Sequence, residues 1–346
     1  MVRRLFLRAV LIAVAICAFL ALSGVLFAQG PSEQAFERVK QVQERYTNAL
    51  MAEPGVVGTA IGLGQGAQPV VLVLLEYGGL PGIPEELEGV PVHPVVTGKI
   101  YALPKPPGTP GGGGGGSLGP TDRWPRPVPI GVSTGHPAIT AGTISCRVTD
   151  GTNVYALSNN HVYANQNAAN IGDNVLQPGT YDGGTDPDDA IGTLADFQWI
   201  DFSGGDNRID AAIALSSTAE LGNATPSGGY GTPKSTTVAA YLNQKVKKYG
   251  RTTGLTTGQV YALNATVDVN YGGGNVARFV EQIIITPGSF SAGGDSGSLI
   301  VADGKGKSSA DNGKPVGLLF AGSTLYTIAN PIGPVLARFG VTVDGQ

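Results

Sequence analysis

Short runs of Val, Ile and Thr, separated by glycine-rich turns, dominate this chain after its first third. The sequence contains 53 glycines, and charged residues make up only 14% of it, against about 25% in an average globular protein. Such runs predict short strands, because β-branched side chains fit a pleated surface and glycine marks the turns. We therefore expect residues 130–346 to form an all-β domain, large enough to bury a core without disulfide bonds.

The N-terminus carries an export pattern. Three arginines precede an apolar run from Ala9 to Ala28, which is the layout of a secretory signal. The run is also about as long as a membrane span. Residues 1–28 are therefore either a signal peptide or a retained anchor. The rest of the chain is expected to be secreted or extracytoplasmic, or, in the second case, membrane-anchored through residues 9–28.

Several functional classes find no support in the composition. The three histidines and two cysteines are scattered, so they do not form a usual zinc site, and no metal or cofactor is expected. Cys146 is the one cysteine outside the export segment, and we expect a buried thiol there. The formal net charge is −4 and no basic stripe is present, which argues against nucleic-acid binding.

A smaller unit precedes the all-β region. Residues 32–52 place apolar side chains near helical spacing, and strand-like runs follow at 58–63 and 70–77. These segments predict a compact α+β module over residues 30–103. Residues 104–129 combine prolines with six consecutive glycines, which predicts a flexible linker.

Three residue types that support nucleophilic chemistry follow one another in the all-β region. His161 lies in the segment Leu157–Val162, Asp210 opens an apolar run, and Ser296 stands within Gly293–Ser298. A serine hydroxyl is a weak nucleophile near neutral pH, so it needs an adjacent base, and a neutral imidazole serves best. A buried carboxylate then holds the imidazole in one tautomer. We predict Ser296 as nucleophile, His161 as base and Asp210 as the carboxylate.

The glycines before the serine have a chemical use. They let the backbone turn so that successive N–H groups point to one place, as a developing oxyanion requires. The predicted donors are the backbone amides of Gly294 and Ser296. For the carboxylate an alternative exists, because Asp188 and Asp189 also precede an apolar strand. The spacing along the chain favours Asp210.

Four motifs in this order resemble one superfamily. Gly294–Gly297 resembles the nucleophile motif of trypsin- and chymotrypsin-like serine peptidases, and Leu157–Val162 is similar to their histidine motif. Residues 249–258 are similar to a strand and turn of secreted bacterial members of the alpha-lytic type. Val316–Ser323 resembles the strand that lines the primary specificity pocket. The resemblance spans about residues 128–343 and implies a two-barrel chymotrypsin-like fold after the small α+β module.

The resemblance also implies an activity. It is that of a secreted serine endopeptidase, which hydrolyses a polypeptide substrate through a Ser-His-Asp triad and an acyl-enzyme intermediate. Phe290 and Ser291 would form the base of the substrate pocket, and Phe320, Ala321 and Gly322 its wall. None of these positions carries an acidic side chain, so we expect a preference for a small or apolar residue rather than Lys or Arg before the cleaved bond.

Two alternatives stay open. The chain has Asn159 and Asn160 where the best-known members of the superfamily have two alanines. A trypsin-like scaffold that binds peptides or adheres without turnover is therefore the second interpretation, since a fold does not guarantee its function. The module over residues 30–103 is either an intramolecular pro-region, which assists folding or blocks the cleft, or a permanent accessory domain.

Overall fold

A computed structural model of the protein describes residues 33–102, 118–304 and 306–346. The predicted signal peptide or anchor at 1–28 and most of the glycine-rich part of the predicted linker lie outside the described residues. The described part is mostly β-structure with three α-helices. None of these helices is both long enough and apolar enough to cross a membrane.

The helices and strands of the described part are numbered in chain order. The helices are α1 Glu33–Met51, α2 Asn160–Tyr163 and α3 Ile332–Phe339. The strands are β1 Val56–Leu63, β2 Pro69–Leu75, β3 Glu86–Leu87, β4 Val90–Val96, β5 Ile100–Ala102, β6 Ser133–Thr134, β7 Gly142–Thr143, β8 Arg147–Thr149, β9 Val154–Ser158, β10 Asn174–Leu176, β11 Ala190–Phe197, β12 Asp206–Asn207, β13 Ala212–Ser216, β14 Lys245–Gly250, β15 Gly254–Gly272, β16 Asn275–Thr286, β17 Leu299–Ala302, β18 Pro315–Gly322, β19 Thr327–Pro331 and β20 Thr342–Val343.

The N-terminal unit, residues 33–102, has the predicted α+β composition. β1 and β2 pair as an antiparallel hairpin, and β2 pairs in parallel with β4. Helix α1 covers one face of these strands, because its buried Val39, Val42 and Leu50 recur at helical spacing and pack on Ile61 and Val73. The unit therefore has a hydrophobic core of its own.

The first barrel is a six-stranded sheet in the order β10-β11-β13-β9-β8-β20. Its core contains fully buried aliphatic side chains from several of its strands and loops, among them Ile144, Leu157 and Leu194, together with the thiol of Cys146. Burial raises the pKa of Cys146 to about 12, so the thiol stays protonated and unreactive near neutral pH.

The second barrel is closed. The strands β15, β16, β19, β18, β17 and β14 pair in this order, and β14 pairs back with β15. The prediction of an all-β, two-barrel architecture after a small α+β module is confirmed.

The N-terminal unit is joined to the second barrel by strand pairing. β1 pairs antiparallel with β15, which makes the unit's strands continuous with the barrel sheet. Across this seam Gln43 and Asn264 exchange hydrogen bonds, with Nε2 of Gln43 donating to the Asn264 carbonyl at 3.0 Å and Nδ2 of Asn264 donating to Gln43 Oε1 at 2.7 Å. β5 continues the contact by pairing with both β15 and β18.

The last part of the predicted linker, residues 118–129, lies on the first barrel. Arg123 donates to both oxygens of Asp189, at 2.6 and 2.7 Å. Trp124 packs against the barrel core, and Val128 is 1% exposed. The proline and glycine content predicts a flexible segment here, but these side chains anchor it.

Candidate active site

Both barrels contribute to the candidate site. β9 and β13 are antiparallel neighbours with Ser158 opposite Ala212. The residues just after β9 and just before β13 therefore lie at the same end of the sheet, which brings His161 on α2 and Asp210 together. Ser296 lies in the loop between β16 and β17 of the second barrel.

His161 and Asp210 form a tight pair. Nδ1 of His161 lies 2.5 Å from Oδ2 of Asp210, and the His161 backbone N–H donates to Oδ1 at 3.2 Å. The Asp210 side chain is fully buried and the His161 side chain is 11% exposed. Because an ionised carboxylate only accepts hydrogen bonds, we place the ring proton on Nδ1. Nε2 is then the basic nitrogen, and it has no hydrogen-bond partner among the described residues.

The two asparagines before His161 have structural partners. Nδ2 of Asn159 donates to the carbonyl of Asp210 at 2.7 Å, while the Asp210 backbone N–H donates to Oδ1 of Asn330 at 3.1 Å. Nδ2 of Asn160 donates to the carbonyl of Gln198 at 2.7 Å. The departure from the usual histidine motif therefore holds the backbone of Asp210 in place rather than disrupting the pair.

A further contact to Asp210 has no counterpart in the sequence-based prediction. The hydroxyl of Tyr271, at the end of β15, donates to Asp210 Oδ2 at 2.8 Å. Burial, followed by the charge of Asp210, raises the pKa of Tyr271 well above its ordinary value, so the hydroxyl keeps its proton. Tyr271 lies 61 positions from Asp210, and nothing in its local sequence indicates this contact.

The loop around Ser296 leaves two backbone donors free. Gly294 has a φ of +92°, and a Cβ there would meet Thr252 Oγ1 at 2.6 Å, so this position requires glycine. Thr143 donates two hydrogen bonds to carbonyl groups of this loop. Its Oγ1 donates to the Gly294 carbonyl at 2.9 Å, and its backbone N–H donates to the Ser296 carbonyl at 2.7 Å. Within the described part of the chain, the N–H groups of Gly294 and Ser296 make no hydrogen bond.

The predicted nucleophile loop, residues 293–298, and the predicted histidine motif, residues 157–162, are in close contact at Gly142. A Cβ at Gly142 would meet Cγ2 of Val162 at 2.5 Å and the carbonyl oxygen of Ser296 at 3.0 Å. The absence of a side chain at Gly142 therefore lets the two segments approach each other. The Ser296 hydroxyl itself donates to the Phe320 carbonyl at 3.3 Å, and the residue is 1% exposed.

Asp295, which lies in the same loop as Ser296, forms a buried ion pair with Lys248 on β14. Asp295 accepts hydrogen bonds from the N–H of Thr252 at 2.8 Å, Oγ1 of Thr253 at 2.7 Å and the N–H of Ala292 at 3.0 Å. Nζ of Lys248 lies 3.5 Å from Asp295 Oδ2, and both side chains are fully buried. Burial lowers the pKa of Lys248, and the charge of Asp295 opposes that shift.

A cavity of about 920 Å³ lies beside the nucleophile loop. Ser291 and Gly322, two of the predicted pocket residues, line it. The side chains of Phe290, Phe320 and Ala321 are fully buried in the core instead. The remaining lining is supplied partly by loops of the second barrel and partly by the N-terminal unit: Glu76, Gly98, Lys99, Tyr101, Gly288, Ser289, Ala292, Gly293, Ser323 and Thr324.

The alternative carboxylate and the other first-barrel histidine lie in other contacts. Asp189 binds Arg123 and also accepts from the N–H of Thr185 at 2.8 Å. His136 pairs with Asp173 through Nε2 at 3.1 Å. The structure therefore brings Asp210, and not Asp189, to His161.

Comparisons with known proteins add the following. A family described as the Nal1 C-terminal domain matches residues 221–328, a segment that contains Ser296 but neither His161 nor Asp210. No curated protein matches the sequence. Among solved structures, a glutamic-acid-specific serine protease is 22% identical, with a TM-score of 0.44, and the match covers 62% of this chain and 100% of that one.

Two further solved structures give similar values. Protease A of Thermobifida fusca is 18% identical, with a TM-score of 0.44, and the match covers 63% of this chain and 100% of that one. A Nocardiopsis protease is 15% identical, with a TM-score of 0.44, and the match covers 62% of this chain and 99% of that one. These values leave the chemistry of the site to be inferred from its own residues.

Proposed function

We propose that this protein is an exported serine endopeptidase that hydrolyses polypeptides through Ser296, His161 and Asp210. The observation that carries the proposal is the buried Asp210–His161 pair, with Nδ1 and Oδ2 2.5 Å apart and Nε2 unpartnered among the described residues. The pair orients an imidazole base, and the neighbouring loop offers a serine with two free backbone donors. Export follows from the arginine-led apolar segment at 1–28.

The chemistry follows from these positions. Oγ of Ser296 attacks the carbonyl carbon of the scissile peptide while its proton passes to Nε2 of His161. Asp210 stabilises the imidazolium, and the N–H groups of Gly294 and Ser296 stabilise the oxyanion. The imidazolium then protonates the leaving amine as the C–N bond breaks, which leaves an acyl-enzyme. Water, deprotonated by the same nitrogen, attacks the ester and releases the acid and the serine.

The Ser296 hydroxyl donates its hydrogen bond to a backbone carbonyl rather than to His161. Oγ of Ser296 donates to the Phe320 carbonyl at 3.3 Å, whereas Nε2 of His161 is a buried acceptor that lacks a partner within the described residues. An unpaired buried polar atom costs about 1–3 kcal/mol. A hydrogen bond from Ser296 Oγ to Nε2 would recover that cost, and catalytic hydrogen bonds often tighten only when substrate binds.

The first experiment measures peptide-library cleavage by the full-length protein. We expect Ser296→Ala and His161→Ala each to lower kcat/KM at least about 10³-fold, because each removes a member of the proton-transfer pair. Ser145→Ala is the matched control for the serine, since Ser145 is also fully buried. His136→Gln is the control for the histidine, since His136 also pairs with an aspartate.

Two outcomes would contradict the peptidase. Cleavage that survives Ser296→Ala would assign the activity elsewhere. Peptide binding without any cleavage by the wild-type protein would favour the alternative, a peptide-binding or adhesive module on the same scaffold.

We further propose that small or apolar residues precede the cleaved bond. Of the residues that line the cavity, Glu76 is the acidic one, and Nζ of Lys99 lies 3.3 Å from its Oε1. The two opposite charges leave the cavity lining without a net negative charge that would attract Lys or Arg. Cleavage of the peptide library only after arginine would contradict this preference.

For the N-terminal unit we propose the role of an intramolecular inhibitor. β17 pairs with the first half of β18, as far as Leu318. Beyond that point β5 pairs with the same edge of β18, with Ala102 opposite Ala321 and Tyr101 opposite Gly322. Ala321 and Gly322 belong to the predicted wall of the substrate pocket. An extended peptide binds a free sheet edge by adding a strand, and β5 occupies this edge.

A reversible cross-link tests the inhibition. Tyr101 lies opposite Asn270 in the β5–β15 pairing, so Tyr101→Cys with Asn270→Cys ties β5 over the edge when oxidised. Thr193→Cys with Leu215→Cys, a facing pair on β11 and β13, is the control. We expect oxidation to lower peptide cleavage at least about tenfold in the first protein only, with recovery after reduction.

A second variant tests the same idea in the opposite direction. Ile100 is 2% exposed and anchors β5 in the core, so Ile100→Asp should release the strand and raise kcat/KM for peptides. Val96→Asp places the same charge on a 42% exposed position of the same unit and should have no such effect. If Ile100→Asp speeds nothing and the oxidised cross-link slows nothing, the unit is an accessory domain.

A further inference from the structure

Asp210 is held by more than its histidine. Its Oδ2 accepts from Nδ1 of His161 and from the hydroxyl of Tyr271, and its Oδ1 accepts from the His161 backbone. The carboxylate has no exposed surface, so these donors replace the water it would otherwise bind. A buried carboxylate is costly unless its oxygens are hydrogen-bonded.

The ring of Tyr271 is fixed on several sides. It packs edge-on against Phe202, with ring centroids 5.3 Å apart, and lies 6.2 Å from the Phe279 ring. The His161 ring meets it edge-on at 5.8 Å, and the residue is 7% exposed. The hydroxyl therefore has little freedom to leave Asp210.

Tyr271 also joins the two barrels at this point. It comes from β15 of the second barrel, whereas Asp210 and His161 both come from the first. The hydrogen bond to Oδ2 thus ties the carboxylate to the barrel that carries Ser296. A change in how the barrels meet would move this bond.

We propose that Tyr271 is a positioning residue of the proposed triad, whose hydroxyl fixes Asp210 Oδ2 and through it the orientation of the His161 ring. The inference rests on the proposed function and extends it by a fourth side chain. Tyr271 does not touch the reacting atoms, so its effect passes through Asp210. It also shares the negative charge of the carboxylate, which moderates how strongly Asp210 attracts the imidazole proton.

The loss of the hydroxyl has a definite electrostatic sign. Among the described residues, Asp210 and His161 are the titratable groups that the Tyr271 side chain contacts; Phe202 and Phe279 are neutral. Without the hydroxyl, Asp210 carries a less dispersed charge and holds an imidazolium more firmly. Protonation of the pair then persists to higher pH, whichever partner carries the proton.

The test is Tyr271→Phe in the full-length protein, which keeps the ring contacts and removes the hydroxyl. We expect kcat to fall about tenfold with KM little changed, and the acid limb of the pH profile to move up by about half a pH unit or more. Tyr163→Phe is the control, since Tyr163 is fully buried and its hydroxyl lies 3.4 Å from Thr134 Oγ1. It should leave the acid limb unmoved.

A second measurement does not depend on turnover. The chain has three histidines, His93, His136 and His161, so the ring of His161 is identifiable by NMR from spectra of a His161→Gln protein. In a Ser296→Ala background, Tyr271→Phe should raise the midpoint of that ring's titration.

The two proposals fail separately. An unmoved midpoint together with an unmoved acid limb would overturn the positioning role. Undiminished cleavage by Ser296→Ala, with a midpoint that does move, would overturn the peptidase and leave the Tyr271 contact standing.

Discussion

Two buried carboxylates, Asp210 and Asp295, organise the candidate site, and both are paired with hydrogen-bond donors or a cation. Asp210 receives its hydrogen bonds from His161 and Tyr271, and Asp295 receives its own from the turn at Thr252, with the buried Lys248 beside it. Each carboxylate is fully buried, so each depends on its partners rather than on water. Ser296, the proposed nucleophile, follows Asp295 in the chain, so the contacts that hold Asp295 also fix the position of Ser296.

Lys248 provides a residue-scale prediction of stability. Lys248→Met leaves the buried Asp295 without its cation, and we expect the free energy of unfolding to fall by about 3–5 kcal/mol. Adding Asp295→Asn removes the uncompensated charge, so the double variant should lose less than Lys248→Met alone. Chemical denaturation measures both. Asp295→Asn alone completes the cycle, and a double variant whose loss equals the sum of the two single losses would mean that the pair is not coupled.

At the scale of helices and strands, the sequence predicts the elements that local apolar spacing defines, but not the pairing of strands far apart in the chain. Helix α1 and strands β1 and β2 begin and end within two residues of their predicted bounds, because apolar spacing and turn residues mark them. The hairpin of β15 and β16 is different: positive φ at Asn264 and Glu281 marks breaks in its regular alternation. The pairing of β1 with β15 joins residues some two hundred positions apart, and no local pattern encodes such a partner.

The same division applies to the site. The roles proposed for His161, Asp210 and Ser296 can be read from the sequence because each step of the proposed chemistry needs its residue type in a recognisable local context. Tyr271 and Lys248 are not, because their partners are set by how distant strands meet. Phe290 and Phe320 lie in the core rather than the pocket, since large aromatic side chains gain most by burial.

The whole molecule assembles the site from three parts. The first barrel supplies the proposed base and its carboxylate, and the second supplies Tyr271 and the loop that contains the proposed nucleophile. The N-terminal unit lies on the edge of β18 and lends Lys99 and Tyr101 to the cavity wall. The site is therefore complete only where the barrels meet, and in the proposed inhibition the unit governs access to it.

The most direct measurement is the rate at which a fluorophosphonate probe modifies the full-length protein, with the modified residue identified by peptide mass spectrometry. We predict a single adduct on Ser296, and a rate at least about 10²-fold lower in His161→Ala, because the imidazole takes the proton from the attacking hydroxyl. An unmodified Ser296, or modification at the same rate without His161, would contradict the proposed triad.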